Sequence, residues 1–441
     1  MFQTLNILTQ KILPPWLYSK LIGSWDKSGF KKYFKNTSWI FFAKLISMGV
    51  SFFTIAFVAR YLGPENYGKL SYAQSFVSLF SVIAALGIDR IVFRDLIAHP
   101  EKESEILGTA FVLKAVFGVL AVITTVSAAY LLNTDPILNW LIALITLTFI
   151  FQPFSTLSHY FNAKVQSKYV AYITIMVAFL IPALKLLVIY LDKGILYFAA
   201  LIAFEAFFIG LVYVFFYIHI ARKNLRAWSF SREVFWNFLS RSWPLLLSSL
   251  SGYIYGRIDQ VMIHHFIDSS AVGFYDIAVR LTNFLSYTPG IIIGSLIPAI
   301  INARSRSSDE YHARFRALTF LTLSIAVVGA GIIFMFAPAL VSLIFGSEYG
   351  QTAIILRIYV WSTIGSIGIV LIEQYFIAEN SSVRFLFFSV FGMLLNVTLN
   401  FIFIPMFGIK GAASATLITM GLVIITFLVY KWFWLGNKVT K

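Results

Sequence analysis

Twelve apolar stretches, each long enough to cross a lipid bilayer, constrain this chain of 441 residues more than any other feature of its sequence. A hydrocarbon core about 30 Å thick is crossed by about 20 helical residues. Within that core every backbone N–H and C=O must be hydrogen-bonded by the protein itself, and an α-helix does this within one segment. The chain is 59% apolar and 12% charged, so lipid must cover much of its surface. The predicted spans are residues 37–59, 70–88, 108–132, 136–161, 169–191, 195–219, 242–263, 271–300, 317–345, 351–377, 385–405 and 411–434.

Basic residues fall almost entirely on one side of this predicted topology. Of the lysines and arginines outside the spans, 24 lie in the N-terminal segment, the even-numbered loops and the tail. The odd-numbered loops hold four, namely Arg60, Lys69, Lys193 and Lys410. The positive-inside rule then predicts a multi-pass protein with both termini in the cytoplasm. The net charge of +15 is explained by this topology and by attraction to anionic lipid headgroups, without nucleic acid as a partner.

The order of the spans predicts two halves of six helices each. We predict an interfacial N-terminal segment at 1–35, a first half at 36–220, a cytoplasmic linker at 221–241, a second half at 242–435 and a cytoplasmic tail at 436–441. The halves read as repeats, since the turn RYLGPENYGKLSYA at 60–73 aligns with HFIDSSAVGFYDIA at 265–278 and matches Gly68 to Gly273. Six spans per half give both halves the same orientation, which is one class of repeat found in secondary transporters.

Several chemistries are excluded by composition. Cysteine is absent, which rules out disulfides, thiolate metal sites and cysteine nucleophiles. The metalloprotease HExxH, Walker-type and GxSxG motifs are absent as well. We therefore predict no enzymatic activity, no metal and no cofactor.

Ten ionisable residues lie inside the predicted spans. Because a charge at the bilayer centre costs about 2.5–3.5 kcal/mol or more, each is a functional candidate by default. The cations are Lys44, Lys114, Lys185, Arg257, Arg280 and Arg357, and the anions are Glu205, Asp259, Asp276 and Glu373.

Motifs in order along nearly the whole chain resemble one membrane protein family. They are N-x-x-W at 36–39, ARYLGPENYG at 59–68, GIDR at 87–90, LIFGSEYG at 343–350 and NVTLNFIFIPMFGIKGAASATLI at 396–418. They resemble the polysaccharide (O-antigen type) flippases, which belong with the multidrug and toxic compound exporters and the lipid II flippases. The resemblance implies an all-α, MATE-like fold of two six-helix lobes around a central cavity. It also implies transport of a polyprenyl-diphosphate-linked oligosaccharide across the bacterial inner membrane, with a polysaccharide polymerase and chain-length proteins as partners.

A substrate that carries two phosphates needs a cationic path through the membrane. Arginine is suited to this task because its guanidinium can grip phosphate through two parallel hydrogen bonds. We predict that Arg257 and Arg280 bind the diphosphate, with Lys185 as the third candidate, followed by Lys44, Lys114 and Arg357. The alternatives are snorkelling to an interface for Lys44, Lys114 and Arg357, and a structural ion pair between Arg280 and Asp276.

The intramembrane acids are candidates for ion coupling. Glu205 is the first candidate because of its depth in the sixth span, and Asp259 is the alternative. Asp276 and Glu373 complete the set, and Glu373 lies close to an interface. A structural partnership with a neighbouring cation is the competing interpretation for these acids.

Two other functions compete with the flippase. A multidrug exporter would share the architecture, but acids should then predominate in its spans, whereas the cations here outnumber the acids. A membrane glycosyltransferase or polymerase would need a large outer loop for its catalytic residues, and the predicted outer loops are short. The sequence therefore favours the flippase, with the exporter second.

Overall fold

The computed structural model describes residues 27–304, 307–379 and 381–439, and all of the regular secondary structure within them is helical. The predicted N-terminal segment lies outside the described residues up to residue 26, and its last part belongs to the first helix. The helices that precede the linker are α1 (Lys27–Ala85), α2 (Asp89–Ala98), α3 (Glu103–Leu132), α4 (Pro136–Thr146), α5 (Thr148–Phe151), α6 (Thr156–Ala163), α7 (Ser167–Tyr190) and α8 (Ile195–Phe215).

The second half is built from longer helices. A π-helical turn, Phe216–Ile220, ends α8 before the chain enters the linker. The helices that follow are α9 (Arg232–Phe266), α10 (Ser269–Arg304), α11 (Ser308–Phe345), α12 (Gly350–Tyr359), α13 (Ser362–Ala378), α14 (Ser382–Phe407) and α15 (Ile409–Val439).

A break at Gly63 separates the first two predicted spans within α1. Gly63 has a φ of 69°, which an L-residue with a side chain rarely adopts, and Pro64 follows it. The chain reverses direction here, because it runs from Lys44 beside Tyr287 to Gly68 beside Ser269 at the beginning of α10, and then back to Gly87 beside Leu245 nearer the beginning of α9. We call the end of the bundle around Gly63 and Gly68 the turn end, and the opposite end the linker end.

The predicted linker is partly helical. Only residues 221–231 lie between helices, and the rest of the predicted 221–241 segment already belongs to α9. Ser231 caps α9 by accepting a hydrogen bond from the backbone N–H of Val234, which explains why the helix begins there. The linker is tied to the first half, since Lys223 pairs with Glu103 at 3.0 Å. This hydrogen bond raises the pKa of Lys223 and keeps it charged.

Among the described residues, eight helices are long and apolar enough to cross a membrane, or nine when the bent pair around residue 360 counts as one span. The prediction of twelve differs from this count for two physical reasons. The first two predicted spans belong to one helical stretch, Phe42–Ala98, which turns at Gly63 without an intervening loop. The seventh and eighth spans, α9 and α10, are less apolar because they carry the charged residues of the site described next.

Candidate substrate cavity

A cavity of about 360 Å³ lies between α1, α7, α9 and α10. Three of the predicted cations line it: Lys44 from the first half, and Arg257 and Arg280 from the second. The side chains of Arg257 and Arg280 are 37% and 30% exposed, so both present their guanidinium groups to this space. The structure therefore brings together cations that lie more than 200 residues apart in the chain.

The rest of the wall combines hydroxyl groups with aromatic rings. Ser47, Ser51 and Thr174 lie on the side of the first half, and Phe284 and Tyr287 lie on α10. The Lys44 ammonium lies 5.6 Å from the centre of the Tyr287 ring, within the range of a cation–π interaction. Such a wall can hydrogen-bond and stack on a polar ligand, while its cations attract an anion.

Asp276 is the counter-ion of both arginines. Its side chain is completely buried, and its Oδ2 accepts a hydrogen bond from Nε of Arg280 at 2.5 Å. The guanidinium of Arg257 approaches Oδ1 at 3.7 Å. The predicted ion pair between Arg280 and Asp276 is thus present, and it does not remove Arg280 from the cavity. One carboxylate offsets three cations, which leaves the described cavity wall positively charged.

Asp276 also joins the two halves. Tyr67 and Ser71 of the first half donate hydrogen bonds to Oδ2 at 2.8 and 3.0 Å. Gln260 donates to Oδ1 at 3.1 Å and is itself hydrogen-bonded to Ser75 of the first half. Sequence analysis missed these neutral groups, although their spacing of four residues puts Tyr67, Ser71 and Ser75 on one helix face, where polar residues in a span suggest an interhelical contact.

The turn end is sealed directly beyond this network. A Cβ atom added to Gly68 would lie 1.7 Å from the carbonyl oxygen of Ser269, and one added to Gly273 would lie 2.4 Å from that of Pro64. Only glycine permits these backbones to touch. The two glycines matched in the predicted repeat thus meet across the contact between the halves.

Lys185 and Glu205 lie apart from this network in the first half. Each is half-buried, and within the described part of the chain neither makes a hydrogen bond or an ion pair with a closer group. They lie within electrostatic range of each other, and Lys185 is also within range of Arg280. Lys185 therefore adds positive potential near the cavity without lining it.

Asp259 is turned away from the cavity. It is 3% exposed and accepts hydrogen bonds from Tyr275 at 2.5 Å and from the backbone of Gln260 at 2.8 Å. Both donors belong to the second half, so Asp259 holds α9 to α10. Its hydrogen-bond partners are thus neutral groups and not the neighbouring cation that the structural interpretation expected.

Two further predicted cations, besides Lys185, lie outside the cavity. Lys114 is completely buried and pairs with Asp89, which His159 also contacts at 3.1 Å. Lys114 therefore does not snorkel to an interface. It belongs to a cluster of polar side chains inside the first half. Arg357 is exposed, donates to the carbonyl oxygen of Phe334 at 3.2 Å and lies 5.6 Å from the Phe334 ring.

Glu373 lies in a different pocket, at the linker end. This pocket has a volume of about 390 Å³ and is lined by Arg90, Arg94 and Arg241 as well as Glu373. It shares no lining residue with the central cavity.

Comparison with known proteins identifies the family. The model of the family described as polysaccharide biosynthesis protein matches residues 33–304, more than half of the chain. The chain belongs to this family. The matched residues contain Lys44, Arg257 and Arg280, so the family region includes all three cavity cations. The family expected from the sequence motifs is confirmed.

Individual relatives are distant from this member of the family. The chain is 27% identical over 172 residues to the probable low-salt glycan biosynthesis flippase Agl15 of Haloferax volcanii, a match that covers 39% of this chain and 36% of that protein. It is 22% identical over 359 residues to Lsg locus putative protein 1 of Haemophilus influenzae, which covers 78% of this chain and 84% of the relative. The match to the archaeal flippase thus spans little more than a third of that protein's length.

Solved structures show the fold. An inward-facing multidrug resistance MATE family transporter superimposes with a TM-score of 0.75 over 88% of this chain and 95% of its own, at 16% identity. The lipid II flippase MurJ in an inward closed conformation gives a TM-score of 0.71 over 90% and 87%, also at 16% identity. This polysaccharide biosynthesis protein is therefore a multi-pass membrane protein with the fold shared by MATE transporters and MurJ.

Proposed function

We propose that this protein is a flippase that moves a polyprenyl-diphosphate-linked oligosaccharide from the inner to the outer leaflet of the cytoplasmic membrane. The observation that carries the proposal is the convergence of Lys44, Arg257 and Arg280 on one cavity inside a membrane bundle. Three cations against one carboxylate suit a ligand whose phosphates carry at least two negative charges. The hydroxyl groups and aromatic rings of the wall suit the adjoining sugars. The translocated unit would then pass to the polymerase and chain-length proteins that the family resemblance implies.

The topology that accompanies this function has twelve spans in two six-helix halves. This topology counts α1 as two spans divided at Gly63. It also counts the charged helices α9 and α10 as spans, in addition to the helices that are apolar enough by hydropathy alone. Both termini and the linker lie in the cytoplasm, as the distribution of lysine and arginine predicts. The sealed turn end then faces outward, and substrate enters from the linker end.

Exchange of counter-ions provides the mechanism. In the absence of substrate, Asp276 pairs with Arg280 and Arg257 and also holds Tyr67 and Ser71 of the other half. A diphosphate that draws the two arginines into the cavity weakens their hold on Asp276. Asp276 is then no longer held in place by the arginines, so its hydrogen bonds to Tyr67 and Ser71 across the two halves weaken. Opening of the turn end toward the outside becomes more favourable. Substrate binding and alternating access are linked through one carboxylate.

We assign ion coupling to the intramembrane acids, with Glu205 as the first candidate. It is half-buried in a span, and the nearest charge to it is Lys185. Asp276 can couple through the exchange described above. Asp259 and Glu373 complete the predicted set.

The test is a flipping assay with purified protein in liposomes. It follows movement of a fluorescent polyprenyl-diphosphate oligosaccharide to the outer leaflet, with a cationic dye in parallel vesicles. We expect Arg257→Gln and Arg280→Gln to reduce flipping at least about tenfold, since each removes a charge-assisted contact to phosphate. Arg357→Gln is the matched control, because it removes a membrane-depth arginine that does not line the cavity.

Two outcomes would overturn the proposal. Flipping at the wild-type rate in both cavity variants would remove the cationic cavity from the pathway. Transport of the dye without the glycolipid would support a multidrug exporter, the alternative that shares this fold.

A further inference from the structure

The pocket that contains Glu373 lies at the linker end, behind α9 as seen from the central cavity. Arg90 and Arg94 reach it from α2, Arg241 from α9 and Glu373 from α13. Arg241 already pairs with Asp95 through two contacts of 3.2 Å, and Arg94 approaches the same carboxylate at 3.6 Å. Three guanidinium groups thus face two carboxylates, and Arg90 has no ion-pair partner in the described part of the chain. The pocket retains a positive charge.

An apolar groove of about 210 Å³ continues from this pocket into the membrane-embedded part of the second half. Ser248 and Phe385 line both spaces, so the two are adjacent. The groove is walled by Ile372, Phe388 and Val423 among others. Charge is therefore confined to one end of a continuous depression, and hydrocarbon surface occupies the other end.

The depression follows one face of α9. Arg241, Leu245, Ser248, Gly252 and Tyr255 line it in turn at alternating spacings of four and three residues, which is the pattern of a single helix face. At 1.5 Å per residue this face is about 21 Å long, somewhat more than one leaflet of a hydrocarbon core about 30 Å thick.

The central cavity uses the other side of the same helix. Arg257 is two residues from Tyr255 and so points away from the groove. The groove and the cavity have no lining residue in common. A ligand in the groove is therefore separate from the substrate in the cavity.

We infer that this depression binds one anionic glycerophospholipid of the leaflet at the linker end. The phosphodiester of the lipid lies at Arg90 and Arg94, and one acyl chain lies along the groove. Glu373 favours a headgroup that carries hydroxyl donors, because a carboxylate accepts such hydrogen bonds. Ser248, at the junction, can donate to an ester carbonyl of the lipid. Phosphatidylglycerol meets these requirements, and phosphatidylcholine lacks the headgroup hydroxyls and the net negative charge.

Native mass spectrometry of the full chain in detergent tests the headgroup. Phosphatidylglycerol and phosphatidylcholine with identical chains are titrated, and we expect tighter retention of phosphatidylglycerol. The double variant Arg90→Gln/Arg94→Gln should weaken that retention about tenfold or more. Arg357→Gln, which alters an exposed arginine elsewhere, should leave it unchanged. Equal retention of both lipids, or an unaffected double variant, would overturn the inference.

A second variant tests the chain site. A Cβ atom at Gly252 would meet no heavy atom within 4 Å, and Gly252 lines the groove, so the side chain of Gly252→Leu occupies space that the acyl chain needs. It should abolish tight phosphatidylglycerol binding, whereas Gly421→Leu, at another open glycine outside the groove, should not. Competition by chain-free glycerophosphoglycerol as strong as that by the lipid would show a site for free phosphodiesters and overturn the assignment to a lipid.

Discussion

Asp276→Asn is the substitution that most directly tests how the two halves are held together. The carboxylate accepts four hydrogen bonds, from Tyr67, Ser71, Gln260 and Arg280. An asparagine has one acceptor oxygen and one NH₂ group, so wherever the NH₂ points it meets donors. If it points toward Tyr67 and Ser71, both contacts between the halves are lost. If it points the other way, they persist without the negative charge that strengthens them.

The magnitude follows from these contacts. A hydrogen bond to a charged group contributes about 1.5–3 kcal/mol, and the substitution removes the equivalent of at least one such bond between the halves. A change of about 1.4 kcal/mol corresponds to a tenfold change in an equilibrium constant. We therefore expect the equilibrium between the closed and open turn end to move toward opening by about tenfold to a hundredfold.

Distances between spin labels measure this shift. The chain has no native cysteine, so cysteines introduced by Asn66→Cys and Ile267→Cys are labelled specifically. Both positions are exposed and lie near the contact between the halves at the turn end. In the parent protein we expect a single short distance, and in Asp276→Asn an additional longer one. Asp259→Asn is the control, because the bonds of Asp259 stay within the second half. An unchanged distance distribution in folded Asp276→Asn would refute the role of Asp276 in closure.

Three further predictions concern other parts of the molecule. Gly68→Ala should prevent closure of the turn end and abolish flipping in the liposome assay, whereas Gly194→Ala, where added atoms meet nothing within 4 Å, should flip normally. Lys114→Met should lower the free energy of unfolding by about 1.5–3 kcal/mol, because Asp89, which stays partly exposed and in contact with His159, loses one charge-assisted hydrogen bond; thermal unfolding measures this, and Asp89→Asn in the same chain should restore part of it. Asn396→Leu should cost about 1–3 kcal/mol by the same measurement, since it leaves its buried hydrogen-bond partners unpaired; an unchanged melting temperature would contradict this.

The contrast between Lys44 and Lys114 shows how far the sequence leads at the site. Both lie about two turns into their spans, and the sequence supports the same set of interpretations for each. In the structure Lys44 is exposed in the cavity, whereas Lys114 is completely buried against Asp89. Depth in a membrane is a property of position along one helix. The direction of a side chain depends on how that helix is rotated against its neighbours, which the sequence of one span does not specify.

The sequence by itself determined the membrane class, the helical fold and the family. It could do so because hydropathy acts residue by residue along the chain and because motifs are local. Only the tertiary structure decided that Arg257, Arg280 and Lys44 share a cavity and that Asp276 joins Tyr67 across the halves. It also placed Gly68 against Ser269. These contacts pair residues about 200 positions apart, and their free energies arise only when packing brings the helices together.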